Sequence, residues 1–415
     1  MNFIKLNNFF LLASFLVLIQ ISIIEIHFGV YFLIFLAFYA KISSSLFKNI
    51  LFLVTIFGIG LLSSFLQTKN LYDFVKDFAY FLTPVLSFVS GYLIAKKVKS
   101  FSSFLGIIIY LTTFFSIIHI YSIFSQIDIG NSSVSDIRTV GGISNIIEVF
   151  VLVIIIGSYT HDFLDVIKNK LLKKTILIIV FVSFFLYFSR TMFISLLIFI
   201  LAIYGHLKIT SKGLKYIIMV MLFFGLLYTY LFSVKIDRGK PGLESFLYKL
   251  KIAPSEIFTP IRKIDPNNHA YLWDHWRAYE ATMAIDQINT IPTFFIGKGF
   301  GALVDLKFGL VLGDTKMRYI PTIHNGYVYV FFKTGILGLV FYLLFLINLY
   351  LYAYNKSESR KITVINYLIA GIGVHFLFTS LIINGVFNIE EIFVFILGSL
   401  FFFRMDTSKL IKEKE

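Results

Sequence analysis

The stretch PTIHNGYVYVFFKTGILGL, residues 321–339, is where a long hydrophilic segment ends and an apolar run begins. The hydrophilic segment, residues 234–323, holds six of the seven prolines, both tryptophans, twelve Lys and Arg and nine Asp and Glu. A low-complexity tail would lack the aromatics, so this balance predicts a folded, partly helical segment. Within it, 270–288 has apolar residues near helical spacing and is predicted to be an amphipathic helix. His324 lies at the junction between the two kinds of sequence.

The rest of the chain is apolar. Hydrophobic residues make up 58% of the 415 residues, and the mean hydropathy is +0.85. A soluble globular domain does not need so large a share of apolar residues. Because about 20 apolar residues cross a bilayer, we expect an all-α integral membrane protein with about 12 transmembrane helices. Residues 1–233 would carry nine of them, 234–323 the large loop, and 324–415 the last three and a tail. The apolar runs are 9–24, 28–40, 50–66, 78–95, 103–124, 144–160, 175–189, 191–206, 216–233, 327–352, 363–384 and 388–403.

Basic residues set the expected orientation. Twelve spans put both termini on one side, and the loops on that side carry 20 Lys and Arg against 6 acids. That side is predicted to be cytoplasmic, so 234–323 would face outward. The net charge of +14 is therefore a topology signal and gives no support to nucleic-acid binding. The absence of cysteine excludes disulfides and thiolate metal sites.

Residues 175–206 are too long for one span. As a single helix they would extend about 48 Å, and lysines flank both ends. We therefore predict two short arms joined at Ser189-Arg190-Thr191. Each arm would reach only about 22 Å, so the tip would lie below the outer surface. A charge at that depth needs a partner.

The arginines are distributed against the lysines. Six of the eight are expected on the outer side: Arg138, Arg190, Arg238, Arg262, Arg277 and Arg318. Arg suits bidentate capture of phosphate or carboxylate, so an anionic ligand is predicted there. Ordinary pairing with loop acids is favoured for Arg238, Arg262 and Arg318, whereas ligand binding is favoured for Arg190, whose surroundings offer few acids. Glu148, Glu390 and Glu391 are each possible partners of Arg190.

His324 is a candidate general base. Thr322 is predicted to be the N-cap of the helix 327–352, which would place His324 in its first turn. The positive helix end there favours neutral imidazole, the form that accepts a proton. The other histidines have no metal-ligand spacing, and the outward acids show no Asp-x-Asp pattern, so no metal site is expected. Gly335 and Gly338 would allow close helix packing.

The motif His-Asn, nine residues, Gly, two residues, Gly-Leu at 324–339 resembles the signature of the O-antigen polymerase and O-antigen ligase superfamily. That family also has an Arg at a helix-pair tip, which Arg190 matches. Its large loop has an Arg-containing helix followed by Pro and a Gly-x-Gly turn, similar to WRAYEATMAIDQINTIPTFFIGKGFG at 276–301. The resemblance covers roughly 175–345. Lys333-Thr334 departs from the acidic residue that is frequent in ligases, which slightly favours a polymerase.

The resemblance implies an inverting, metal-independent glycosyltransferase of the GT-C type without a cofactor. The donor would be a glycan on undecaprenyl pyrophosphate. Arg190 and Arg277 match the family's pyrophosphate-binding arginines, and His324 matches its proposed base. Asn325, Arg318 and Glu148 are further candidates for the site. The expected location is the bacterial inner membrane, with both termini cytoplasmic. The expected partners are the lipid-linked donor and acceptor, membrane lipid and a chain-length regulator protein.

Three functions remain open at this point. A polymerase would join repeat units on the lipid carrier, and a ligase would move the glycan to lipid A-core. A lipid-linked oligosaccharide flippase or other transporter would place charges along a midplane path and show internal repeats. The chain has almost no midplane charge, and a transporter would leave the ninety-residue loop without a role, so we rank the three in that order.

Overall fold

The computed structural model describes residues 23–38, 44–65, 70–128, 146–240, 242–265, 268–312, 315–388 and 392–412, together with Ser132, Ile137 and Val140. These residues form fourteen α-helices and one antiparallel β-hairpin. The helices are α1 Ile24–Ala37, α2 Ser44–Ser64, α3 Leu71–Val98, α4 Phe101–Gln126, α5 Ile146–Gly157, α6 Lys170–Leu186, α7 Arg190–Ile203, α8 Ser211–Ser233, α9 Gly242–Phe258, α10 His269–Asp286, α11 Ile291–Ile296, α12 Gly326–Leu351, α13 Arg360–Ile382 and α14 Phe393–Lys412. The strands are β1 Val304–Leu312 and β2 Thr315–Ile320.

The structure has a helix at eleven of the twelve predicted apolar runs, and the run 9–24 lies almost wholly outside the described residues. Six of the described helices are long and apolar enough to cross a membrane, namely α2, α3, α4, α8, α12 and α13. Three others, α1, α5 and α7, are apolar but shorter. The chain is therefore a predominantly helical membrane protein. The helix α8 is almost unburied by the rest of the protein, as expected for a helix surrounded by lipid.

Close packing inside the helical part depends on small residues. A Cβ at Gly91 on α3 would lie 1.9 Å from the carbonyl oxygen of Phe395, and one at Gly398 on α14 would lie 1.9 Å from that of Phe88. These backbones approach closely because neither glycine has a side chain. The short helix α5 is buried along most of its length and packs against α4, α6 and α7.

The predicted pair of arms over 175–206 is present as α6 and α7. The turn between them, residues 187–189, has Phe188 in the left-handed region with φ of +45°. Arg190 is the first residue of α7. Rings of Phe184 and Phe193 meet near the turn with centroids 5.0 Å apart. The helix α5 packs against both arms.

The helix α12 is broken at Gly335, where φ is +66° and ψ is −168°. The break exposes carbonyl groups at the end of the first half-helix, and a neighbouring turn satisfies two of them. The N–H of Lys298 donates to the carbonyl of Phe332 at 2.8 Å, and that of Gly299 to Lys333 at 2.9 Å. A Cβ on Gly335 would lie 2.4 Å from the backbone of α11. The predicted close packing at Gly335 is present, together with a break that was not predicted.

A buried ion pair ties the same region to α3. The ammonium of Lys333 is wholly buried and contacts the carboxylate of Asp77, and it also donates to the carbonyl of Ala302 at 2.6 Å. Asp77 in turn accepts from the backbone N–H of Gly301 at 2.6 Å. Lys333, which stands next to Thr334 where the ligases often have an acidic residue, therefore forms a buried ion pair in this chain.

Within 234–323 the structure has three helices and a hairpin, and the short helix α11 packs against α12 and α2. The predicted helix 270–288 is observed as α10, which contacts α9, β1 and α12. The hairpin of β1 and β2 was not predicted. Since α10 also packs on α12, the hydrophilic segment is anchored to the membrane helix that begins just after His324.

Candidate functional site

One cavity of about 460 Å³ lies between the hydrophilic segment and the start of α7. It brings together Arg190, Arg277 and His324, which are far apart in the sequence. The residues that line it are Arg190, Lys249, Glu256, Trp273, Trp276, Arg277, Glu280, Met317, Ile320, Pro321, Thr322 and His324. They come from α7, α9, α10, β2 and the segment that leads into α12.

Two arginines share one carboxylate in this cavity. Oε2 of Glu256 lies 3.0 Å from Nη2 of Arg190 and 3.3 Å from Nη1 of Arg277. Arg190 also donates to the carbonyl of Lys249. Burial lowers the pKa of Arg277, and Glu256 opposes that shift. A guanidinium stays charged in proteins because its pKa lies so far above neutral. The two arginines keep one net positive charge after the carboxylate of Glu256 is counted. They therefore suit a ligand with more negative charge than a single carboxylate.

The expectation that Arg190 has few acids nearby is wrong. Its partner is Glu256 on α9, a helix that was not predicted, and the side chain of Arg190 is only 17% exposed. The arms of the 175–206 pair alone offer no such acid. The hydrophilic segment folds back over the turn and supplies it.

His324 is paired with a buried carboxylate. Its Nδ1 lies 2.9 Å from Oε1 of Glu280, whose side chain is 1% exposed, and its backbone N–H donates to the same oxygen. An ionised carboxylate only accepts, so Nδ1 carries the proton and Nε2 is left to accept one. The hydrogen bond to Glu280 raises the pKa of His324, and burial partly opposes this. The imidazole side chain remains half exposed toward the cavity.

The predicted environment of His324 needs two corrections. The N-cap of α12 is Asn325, whose side chain accepts from the N–H of Val328 at 3.1 Å, and Thr322 lies further back. His324 therefore precedes the helix, outside the first turn. The carboxylate of Glu280 raises the pKa of His324, whereas the helix end was expected to favour the neutral form.

The remaining outward arginines of the described segment pair with acids, as the ordinary interpretation predicted. The nearest N to O distances are 3.0 Å for Arg238 with Asp274, 3.2 Å for Arg262 with Asp286, and 2.8 Å for Arg318 with Asp305. Arg318 holds the pKa of Asp305 well below its usual range. Arg318 is not among the residues that line the cavity. Arg138 lies outside the described residues.

Glu148 does not contact Arg190 and lies outside the cavity. Its Oε1 accepts from Ser116 at 2.8 Å and from Ser183 at 2.6 Å, and Ser183 contacts Nδ1 of His119 at 2.8 Å. The proposed pairing with Arg190 is therefore wrong for Glu148, because its carboxylate is held between α4 and α6. Glu390 and Glu391 lie outside the described residues.

Sequence reasoning missed several cavity residues, among them Trp273, Trp276, Glu256 and Glu280. Both tryptophans and Glu280 lie at helical spacing from one another and from the predicted Arg277, so the four share one face of α10. That spacing could have placed Glu280 beside Arg277. No local pattern could have found Glu256, because its role depends on how α9 folds over α7. Among the described residues, no group of three or more His, Asp or Glu is arranged to hold a metal ion.

Fold and site together define a polytopic membrane protein whose hydrophilic segment joins a membrane helix at a cationic cavity. Residues 175–343 match the family model described as O-antigen ligase. This match confirms the resemblance to the O-antigen polymerase and ligase superfamily, whose members are glycosyltransferase-like enzymes. Every residue that lines the cavity falls inside the matched region. No curated protein and no solved structure gives a significant match to the chain.

Proposed function

We propose that this chain is an O-antigen or similar surface-polysaccharide polymerase, which joins repeat units carried on undecaprenyl pyrophosphate. The observation that carries the proposal is the meeting of Arg190, Arg277 and His324 in one cavity. Two guanidiniums suit a pyrophosphate, and a histidine with a free Nε2 suits a hydroxyl nucleophile. Both lie where a hydrophilic segment meets the membrane helices, which is where a lipid-linked sugar would present its pyrophosphate.

The arginines would stabilise the leaving group. As the anomeric carbon–oxygen bond breaks, its electron pair goes to the pyrophosphate, where negative charge grows. Arg190 and Arg277 are already held within hydrogen-bond distance of one carboxylate oxygen of Glu256, at 3.0 and 3.3 Å. A phosphate oxygen that displaced this carboxylate oxygen would receive the same two donors, so the step requires Glu256 to move aside. Cationic side chains would thereby take the place of a metal ion.

His324 would accept the proton of the attacking hydroxyl. In a single displacement, the acceptor oxygen bonds to the anomeric carbon while undecaprenyl pyrophosphate leaves, which inverts the configuration there. The hydroxyl proton passes to Nε2 of His324, and the imidazolium that forms is stabilised by Glu280 through Nδ1. Glu280 is thus a positioning residue, and Asn325 fixes the start of α12 beside it.

The proposal includes a setting in the cell. The chain would lie in the bacterial inner membrane with both termini cytoplasmic and the hydrophilic segment in the periplasm, as the distribution of basic residues predicts. Its partners would be the lipid-linked donor and acceptor, surrounding lipid and a chain-length regulator protein.

The lipopolysaccharide ladder of a deletion strain tests the reaction type. A polymerase predicts that the strain keeps a single repeat unit on its lipid A-core and regains the ladder when the gene is restored. Bare core with accumulated lipid-linked polymer would identify a ligase instead. A ladder unchanged by the deletion would contradict both.

A further inference from the structure

Both tryptophans of the chain line the cavity. Trp273 is 43% exposed, Trp276 is buried, and their ring centroids lie 6.0 Å apart. A large aromatic ring that stays open to a cavity retains apolar surface that a ligand can cover. Neither ring has a role in the displacement described above.

The two rings stand beside the charged groups of the site. Trp273 and Arg277 are four residues apart on α10, and Trp276 and Glu280 are likewise four apart, so each indole neighbours a charged side chain one turn on. Lys249 adds a further cation to the lining. Each indole is therefore about one helical turn, roughly 5.4 Å along α10, from a charged side chain. That distance is comparable with the width of a pyranose ring.

We propose that the indole of Trp273 is a stacking platform for a sugar ring of the lipid-linked glycan, adjacent to the pyrophosphate site. The inference rests on the proposed function and deepens it. A pyranose has an apolar C–H face that covers an aromatic ring, and hydroxyls at its edge that bond to charged side chains. The cavity face of α10 offers an indole for the C–H face and a charged side chain one turn away for the hydroxyls.

A polyprenyl chain fits this surface less well. Seven of the twelve lining residues are charged or polar, and a hydrocarbon chain would have to desolvate several of them without forming a hydrogen bond. A tryptophan that only anchors the protein at the membrane interface would face the lipid. Trp273 instead faces the cavity that contains both arginines.

Intrinsic fluorescence can test the inference because the only two tryptophans both lie in the cavity. We would use the protein in detergent with Trp276→Phe, which leaves Trp273 as the sole tryptophan, and excite at the long-wavelength edge where indole absorbs and tyrosine does not. The probes are the repeat-unit oligosaccharide released from its lipid carrier by mild acid, and farnesyl pyrophosphate. We expect the oligosaccharide to change the emission saturably. Farnesyl pyrophosphate should compete with the lipid-linked donor in the transfer assay and should change the emission less.

Kinetics provide a second measurement. Trp273→Leu should raise KM for the lipid-linked repeat unit about tenfold, with a smaller change in kcat, because stacking contributes on the scale of an aromatic pair. Trp273→Tyr should restore most of the lost affinity. Inhibition by farnesyl pyrophosphate should be the same in wild type and Trp273→Leu. Tyr319→Leu is the matched control, because Tyr319 is an exposed aromatic outside the cavity lining.

The outcomes separate the inference from the proposed function. If the oligosaccharide leaves the emission unchanged and Trp273→Leu keeps its KM while farnesyl pyrophosphate still competes, the sugar platform is wrong and the proposed function stands. If farnesyl pyrophosphate changes the emission as strongly and loses inhibition in Trp273→Leu, the ring binds the lipid chain, and the inference is overturned. If wild type neither transfers glycan nor binds either probe, both fail.

Discussion

Replacing Glu280 with glutamine tests the role of His324 most informatively. The glutamine side chain would keep an oxygen near Nδ1 and the backbone N–H of His324, so the change removes charge and little volume. A hydrogen bond to a charged group contributes about 1.5–3 kcal/mol, and a neutral one about 0.5–1.5 kcal/mol. The midpoints of these ranges differ by about 1.25 kcal/mol, which corresponds to nearly tenfold in rate or nearly one unit in pKa.

The sign of the pH effect follows from the geometry. Glu280 raises the pKa of His324 in the wild type, so the base is protonated and inactive below that raised value. Glu280→Gln lowers the pKa, and the acidic limb of the pH–rate profile should move about one unit lower. At alkaline pH the maximal rate should fall about tenfold, because the imidazolium formed in the reaction loses its carboxylate.

The assay is the transfer rate of purified protein with a lipid-pyrophosphate-linked repeat unit, measured across the range where histidine titrates. Asp286→Asn is the matched control. It also removes a carboxylate from α10, but one that pairs with Arg262 away from the cavity. A Glu280→Gln variant with the wild-type limb and the wild-type rate would refute the assignment of His324 as the base.

Three further predictions concern charge in the protein and metal dependence. Glu256→Gln should strengthen inhibition by inorganic pyrophosphate several-fold, since it removes the anion that now occupies Arg190 and Arg277; weaker inhibition would contradict this. Lys333→Met should destabilise the detergent-solubilised protein by about 3–5 kcal/mol, because it leaves a buried carboxylate without its cation. Adding Asp77→Asn should restore part of that loss, and thermal unfolding measures both. EDTA should leave the transfer rate unchanged; strong inhibition would rule out a metal-independent mechanism.

The helical part of the fold could be read from the sequence because its signal is local. Runs of apolar residues predict where the helices lie, although their ends differ by up to nine residues, as at the end of α14, which the run 388–403 placed at 403 and the structure places at Lys412. The excessive length of 175–206 correctly required a break near Arg190. The break in α12 at Gly335 was not predictable in the same way, because both half-helices are apolar and the turn that caps the break comes from residues 298–299.

The site was predictable only in part, because its two acids, Glu256 and Glu280, pair with residues that lie far from them in the sequence. His324, Arg190 and Arg277 stood out by position or by resemblance. Glu256 and Glu280 did not, although the spacing of Arg277 and Glu280 on one helix was visible. The hairpin of β1 and β2 was missed, although Val304, Leu306 and Phe308 alternate with polar residues in β1 as a half-buried strand does.

The most direct test of the central claim compares four variants of the purified protein in the transfer assay. The account predicts that Arg190→Ala, Arg277→Ala and His324→Ala each lower the rate by about a hundredfold or more while the protein stays folded, since each removes a charge or a proton acceptor used in the displacement. Arg318→Ala, which removes an arginine paired outside the cavity, should keep most of the activity. Equal losses in all four variants, or near-wild-type rates in the first three, would contradict the account.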